Sequence, residues 1–332
     1  MENNNVLLDV QDLRVSFFSN GGEVKAVGGV SYHVNKGEII AVVGESGCGK
    51  SVTQMSTLQL IQPPRGRIMG GKILLEGEDI LQYPANSKEM QAIRGAKVSM
   101  IFQEPMTSLN PVFTIGAQIS EVIRLHTHVS AKEAWQIGTK ALAAVGIPEP
   151  ASRMKNYPFE MSGGMRQRVL IAIAVACKSK LIIADEPTTA LDVTTQAQVM
   201  ELLVDVVKKY GTSLIIVTHN LGLVARYAQR IYVMYAGRVI ESGTTADILK
   251  HPSHPYTKGL MASVPRLDGD RNQKLTPIEG LPPRLDKLKD ECSFMPRCPY
   301  ACDKCKNSPY PSFVTVGHEH KAACHLCQEV KE

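Results

Sequence analysis

Gly44-Glu45-Ser46-Gly47-Cys48-Gly49-Lys50-Ser51 is the stretch that decides the fold. Its G-x-x-x-x-G-K-S spacing is that of a phosphate-binding loop, which requires a strand before it and a helix after it. Residues 39–43, Ile-Ile-Ala-Val-Val, supply the strand: a short, continuously apolar run reads as buried on both faces. A polar stretch with helical spacing follows. Gly44, Gly47 and Gly49 allow successive backbone N–H groups, including those of Ser46 and Cys48, to curve around phosphates with no side chain in the way. The helix that follows adds its positive end. Lys50 is suited to reach the β and γ phosphates, and the Ser51 hydroxyl to ligate Mg²⁺. Cys48 offers mainly its backbone, so phosphate binding survives its presence, and sensitivity to thiol reagents is expected there.

A second run, Leu181-Ile182-Ile183-Ala184-Asp185-Glu186, has the pattern of a buried strand ending in acids. Asp185 can hold magnesium through water, and Glu186 can orient and polarise the attacking water. His219 follows the strand-like run at 213–218, where an imidazole can sense the γ-phosphate with a hydrogen bond near neutral pH. Taken singly, an acidic strand end or a loop histidine is ordinary; alongside residues 44–51 they form a hydrolytic constellation.

The rest of the chain fits around these runs. Residues 7–18 and 24–34 alternate and flank a Gly21-Gly22 turn, which predicts antiparallel strands. Residues 105–158 are rich in helix formers, with helices predicted over 115–125 and 130–145, and Ser130 three residues before Glu133 reads as a capping box. Strand and helix signals then alternate at 181–184, 194–209, 213–217, 221–230 and 231–235, the pattern of a parallel sheet covered by helices. From Pro277 onward the composition turns to Pro, Cys and Lys with little periodicity, and a tail unit begins.

With 332 residues, 44% hydrophobic and 21% charged, the chain has a globular composition and room for one to three domains. A formal charge of +5, from 37 basic and 32 acidic residues, reads as solvated surface rather than a nucleic-acid or anionic-membrane footprint. Residues 1–5 are polar and asparagine-rich, with no basic stretch leading into an apolar run, so export is not expected. The longest apolar stretch, 169–177, runs into Lys178 and Lys180, far short of the roughly 20 residues needed to cross a bilayer.

Ser162-Gly163-Gly164-Met165-Arg166-Gln167-Arg168, between the phosphate loop and the acidic strand, resembles the signature sequence of ABC ATPases. Met161 stands where many members carry leucine, a near-isosteric change. The resemblance implies an α/β P-loop NTPase of the ABC type with N-terminal antiparallel strands, an inserted helical subdomain and a small cysteine-rich C-terminal unit. The expected division is an ATPase core at 1–104 and 159–260, a helical subdomain at 105–158 and a tail at 261–332. It further implies that Ser162 and the N–H groups of Gly163 and Gly164, with Gln167 behind them, bind the γ-phosphate of ATP seated on a partner's phosphate loop, so that one subunit alone cannot complete a site. Gln103 resembles the glutamine that joins magnesium and nucleotide to the helical region, Ala190-Leu191-Asp192 the loop that crosses the dimer, and His219 the switch histidine. Phe17 is the aromatic expected to stack on adenine, with Phe18 adjoining it.

Within that family, the loop, the signature, residues 184–193, the run His254-Pro255-Tyr256-Thr257-Lys258-Gly259-Leu260 and the tail resemble the ATPases of oligopeptide and dipeptide importers. The tail matches at Gly280-Leu281-Pro282-Pro283, Pro296-Arg297-Cys298-Pro299 and Ala323-Cys324-His325-Leu326. The resemblance implies a peripheral ATPase at the cytoplasmic face of the cell membrane. Its partners would be a second, related but distinct ATPase, two permease subunits and an extracytoplasmic binding protein. Closely similar systems carry nickel or short saccharides, and substrate choice lies with the binding protein and permeases. A soluble ABC ATPase of DNA maintenance is the rival class; the absence of a long coiled-coil insertion in 1–235 and of a basic run of six or more argues against it, and no nucleic-acid partner is expected.

Six of the eight cysteines lie from Cys292 onward, and in a reducing compartment clustered thiols bind metal more often than they form disulfides. Spacing alone pairs Cys302-x₂-Cys305 with Cys324-x₂-Cys327 across 18 residues, the pattern of a four-cysteine zinc site. The family resemblance selects Cys292, Cys298, Cys305 and Cys324, with 5, 6 and 18 residues between them, as ligands of a [4Fe–4S] cluster. Four thiolates suit either centre, and free or only partly used thiols are the third reading, because Cys302 and Cys327 are surplus to the iron–sulfur set and Cys292 and Cys298 to the zinc set.

Overall fold

A computed structural model describes residues 5–19, 21–189, 191–263 and 277–328, and the chain divides into two compact units. The first comprises residues 5–8, Val34–Ile39 and Leu75–Val217; the second comprises Asp9–His33, Ile40–Leu74 and the chain from Thr218 on. Among the described residues no helix is long and apolar enough to cross a membrane.

The first unit is built on parallel strands Val98–Ile101, Leu181–Asp185 and Ser213–Thr218, with Leu181 opposite Val98 on one side and Ser213 on the other. Nearly every residue of the three is buried, which is why the runs at 181–184 and 214–217 are continuously apolar. Its four longest helices start on side-chain caps: Thr114 before Ile115–Thr127, Ser130 before Ala131–Ala144, Ser162 before Gly163–Ala176 and Asp192 before Val193–Tyr210. Ser130 and Glu133 form the predicted capping box. In the inserted helical region Ile115, Ile119 and Ile123, one turn apart, face Ala134, Gly138, Ala141 and Leu142 with no exposure to speak of. Gly138 allows that approach, since a Cβ there would lie 2.8 Å from Ile119 Cγ2. The N–H groups of Ile115 and Gly116 donate to the carbonyls of Asn156 and Met154, which ties the two ends of the region together.

In the N-terminal antiparallel sheet, which supplies most of its residues to the second unit, strand Val6–Ser19 lies between Gly22–Asn35 and Gly66–Leu75. Ile39–Val43 pairs in parallel with Arg230–Tyr235, Val43 opposite Val233. Arg238–Thr244 returns antiparallel with a bulge between Val239 and Glu241, and Lys321–Ala322 of the tail adds antiparallel to it. The helix predicted over 221–230 stops earlier, as Leu221–Tyr227, because ladder pairing already begins at Arg230 and the intervening residues make the turn. The tail does not stand apart as its composition suggested. Phe294 is buried in one core with Ala41, Val43, Val233, Tyr235 and Tyr256, and Ile278, Leu285, Leu288, Cys292 and Cys298 pack against it. A segment too poor in apolar residues for its own core thus shares that of the ATPase.

Candidate functional site

The phosphate loop leaves the buried strand Ile39–Val43 and ends at the helix Lys50–Thr57, as its spacing required. Gly44 has φ 154°, and a Cβ on it would lie 2.2 Å from the Met234 carbonyl oxygen. Gly49, in the left-handed region, would bring a Cβ within 2.5 Å of the Ala26 carbonyl oxygen. Only glycine is possible at either; at Gly47 a Cβ would meet open space, and it is the φ of 76° that favours glycine there. The Lys50 ammonium is buried and donates to the carbonyls of Gly44 at 2.8 Å and Glu45 at 2.9 Å. The loop is also held from outside: the Glu45 N–H donates to the Tyr256 hydroxyl at 2.9 Å, and the Gly237 N–H to the Cys48 carbonyl at 2.9 Å.

Cys48 is 5% exposed, and burial pushes its thiol pKa up against the pull of the Lys50 ammonium. This corrects the expected thiol sensitivity, because a buried, protonated sulfur is a poor nucleophile. Phe17 is half-buried, close enough to Gly66 that a Cβ there would lie 3.0 Å from its Cε1, while the Arg67 guanidinium sits 5.4 Å from the Phe18 ring centroid. The two rings therefore have different surroundings within one strand. His219, in the same unit as the phosphate loop, is exposed just past Ser213–Thr218, and Asn220 after it caps the helix Leu221–Tyr227.

The first unit carries the remaining residues. Asp185 is buried at the end of its strand, opposite Val217. Glu186 next to it has φ 46°, a left-handed conformation uncommon for a residue with a Cβ, and its N–H donates to the Val217 carbonyl at 2.9 Å. Its carboxylate accepts from the Thr189 hydroxyl at 2.6 Å, so backbone and neighbour together aim it. Gln103 is exposed beyond the strand Val98–Ile101. Ser162 and Gly163 are exposed at the start of their helix, and the Ser162 hydroxyl accepts from the Met165 N–H at 3.3 Å. Gly164 packs closely, since a Cβ would lie 3.0 Å from Thr195 Cγ2. Gln167 is buried one turn on, its amide nitrogen without a hydrogen-bond partner. Asp192 accepts from the Thr195 N–H at 3.0 Å, and that backbone bond holds its carboxyl below the usual range. Ala190 of the same predicted loop lies outside the described residues.

In the tail, Cys302 Sγ and Cys305 Sγ are 3.6 Å apart, and Cys327 faces the Ser253 carbonyl at 3.8 Å. Burial raises the pKa of Cys292, and Cys305 and Cys324 add to the rise; Cys298 responds to burial and then to Cys324, Cys305 and Cys302. Among the described residues no group of three or more His, Cys, Asp or Glu is arranged to hold a metal ion. Sequence reasoning missed two supports of the phosphate loop, Tyr256 and Arg297. Both stand in stretches singled out only by resemblance, and neither residue type in isolation signals a partner at Glu45.

Residues 27–189 match the family model described as "ABC transporter", and residues 240–305 match "Oligopeptide/dipeptide transporter, C-terminal region". The chain is 49% identical over 97% of its length to the oligopeptide transport ATP-binding protein AppD of Bacillus subtilis, covering 97% of that protein. It is 48% identical to the dipeptide transport ATP-binding protein DppD of the same organism, over 96% of this chain and 94% of the relative. Among solved structures, a dimeric post-hydrolysis state of the ATP-binding cassette MJ0796 bound to ADP and Pi superposes with a TM-score of 0.64 over 72% of this chain and 98% of the other, at 23% identity, a likeness in fold. Carrying both the cassette and the tail of these relatives along nearly its whole length, the chain belongs to the ATP-binding subunits of ABC transporters, in the peptide and oligopeptide import subfamily.

Proposed function

We propose that this subunit hydrolyses MgATP at composite sites shared with a second, related ATPase subunit, and that the cycle powers peptide import through two permease subunits fed by a substrate-binding protein. The subunit then works peripherally at the cytoplasmic face of the membrane. The observation that carries the composite site is the exposed start of the signature helix: Ser162 and Gly163 face solvent, as groups must that bind a nucleotide held by another chain. Peptides are favoured over nickel or saccharides because the tail matches the oligopeptide/dipeptide C-terminal region.

In this reading the N–H groups of residues 44–51 and Lys50 cradle the phosphates, and the glycines that would clash with any Cβ support it. The donor set of Ser51, Gln103 and Asp185 is all oxygen, which suits Mg²⁺. Magnesium supplies charge neutralisation at the phosphates when bound. Glu186 takes the proton from water as it attacks, His219 donates to the γ-phosphate, and Phe17 stacks on adenine. Asp192 acts at the dimer seam. Glu186→Gln in the assembled transporter should keep ATP binding and lower turnover about 100-fold or more. Lys50→Ala should weaken binding itself, and equal behaviour by the two variants would refute these roles.

The helical region at 105–158 is assigned to the permease contact. Its join at Ile115 and Asn156 is flanked by Val112 and Phe113 on one side and by stacked Tyr157 and Phe159 on the other, with Phe113 54% and Phe159 66% exposed. Such exposed apolar side chains mark a docking surface. The tail at 261–332 is assigned a [4Fe–4S] cluster on Cys292, Cys298, Cys305 and Cys324, with zinc on Cys302, Cys305, Cys324 and Cys327 as the alternative. The support is donor chemistry alone: four thiols, Cys305 and Cys324 buried and Cys292 and Cys298 half-buried, none of them in a disulfide. The cluster would supply a covalent cross-link to a segment with little core of its own.

A further inference from the structure

Arg297 belongs to the tail, yet its guanidinium grips the phosphate loop. It meets the Glu45 carboxylate through two parallel bonds, Nη1 to Oε2 at 2.8 Å and Nη2 to Oε1 at 3.0 Å. That fork fixes direction as well as distance, which a single-point contact from lysine cannot do. The Arg297 side chain is 6% exposed and that of Glu45 24%, so the pair is shielded from the water that weakens surface ion pairs. Every guanidinium nitrogen is engaged: Nε donates to the Glu279 carbonyl at 3.0 Å, Nη2 also to the Ile278 carbonyl at 3.3 Å, and Nη1 also to the Tyr235 hydroxyl at 3.3 Å. One side chain therefore joins two stretches of tail and the end of strand Arg230–Tyr235 to the second residue of the loop. Beneath the pair, the ring centroids of Tyr235, Tyr256 and Phe294 lie 4.7 to 5.5 Å apart, and Tyr256 accepts the Glu45 N–H.

A carboxylate within an anion-binding loop opposes its function, because it repels the phosphates that the backbone N–H groups are placed to attract. Burying the countercharge beside it removes that repulsion and holds the loop's first residues at the same time. We propose that Arg297 is a positioning residue of the nucleotide site, cancelling the Glu45 charge and fixing the start of the phosphate loop, and that the cysteine-rich tail acts through it on ATP affinity in the same chain. The inference rests on residues 44–51 being the ATP site. Cys298 follows Arg297 directly and packs on the same core as Phe294, so a shift of the backbone around the thiols moves the guanidinium.

Binding of a fluorescent N-methylanthraniloyl ATP with Mg²⁺ to the full-length chain tests this without a partner subunit. Arg297→Gln should weaken binding roughly tenfold, and Glu45→Gln/Arg297→Gln should return to within about twofold of the unmodified chain, since charge and countercharge leave together. In the assembled transporter the single variant should raise KM for ATP by a similar factor while kcat changes less than about twofold. A residue that only glues the tail down would lower the melting temperature of both variants alike and leave the affinities equal. Unchanged binding by Arg297→Gln, a double variant as weak as the single one, or a fall in kcat at constant KM would each overturn the proposal. Should Arg297→Gln fail to fold, Arg297→Lys keeps the charge and the stem but loses the fork, and must still bind about threefold more weakly; equal binding overturns the proposal. Failure of the unmodified chain to bind the nucleotide would instead sink the ATP-site reading on which the inference stands.

Discussion

His254 offers a measurement of how the fold supports its phosphate loop. It is 2% exposed and caps the helix Pro255–Ala262, its Nδ1 accepting the Tyr256 N–H at 3.0 Å; Tyr256 in turn accepts the Glu45 N–H. Burial lowers the His254 pKa from the ordinary 6.5 to about 4, against the pull of the nearby Glu241 carboxylate. A lowered histidine pKa means that the unfolded chain takes up a proton which the folded chain refuses. Stability is therefore complete above pH 6.5, falls as the pH drops from 6.5 towards 4, and loses nothing further below. The gap between about 4 and 6.5 corresponds to about 3 kcal/mol in full, of which about 1 kcal/mol is lost between pH 7 and pH 5.5. Urea unfolding of the full chain at those two pH values, compared with His254→Asn, isolates the effect. Asparagine keeps a capping acceptor and does not titrate, while the Glu241 carboxylate and its bond to His320 remain in both proteins. The variant should lose about 1 kcal/mol less than the parent over this interval. Identical pH slopes would refute the reasoning, because the histidine would then be taking up its proton in the folded state.

Gly44→Ala should destabilise the chain by about 2 kcal/mol or more and abolish nucleotide binding, since the new methyl group meets the Met234 carbonyl and the Cys48 sulfur; thermal melts and analogue binding check it. Phe113→Asp and Phe159→Asp should reduce peptide uptake by reconstituted vesicles about tenfold while basal ATP hydrolysis stays within about twofold, and parallel loss of both activities would argue against a docking role. Anaerobic purification should give brown protein with broad visible absorption and about four irons per chain. Colourless protein with one zinc, lost on Cys327→Ser and kept on Cys292→Ser, would favour the other ligand set.

What the sequence determined by itself was the chemistry that depends on neighbouring residues along the chain. The buried strand at 39–43, the glycines and lysine after it, the capping box at Ser130 and the acids closing 181–186 are all local patterns, and the structure places each on the predicted element. The family followed from the order of those patterns together with residues 162–168. The ends of elements were less legible: the helix from Leu221 stops at Tyr227 because the next strand's ladder, a partner 190 residues away at Ile40, claims Arg230. Only the tertiary structure decided where the tail goes and what it does there. A segment whose composition predicted a separate unit shares a core with Tyr235 and Tyr256, adds Lys321–Ala322 to the sheet, and buries an arginine against Glu45. The physical reason is that charge pairing and core sharing are satisfied by residues 252 positions apart as well as by neighbours, and a periodicity of two or 3.6 carries no record of such a partner.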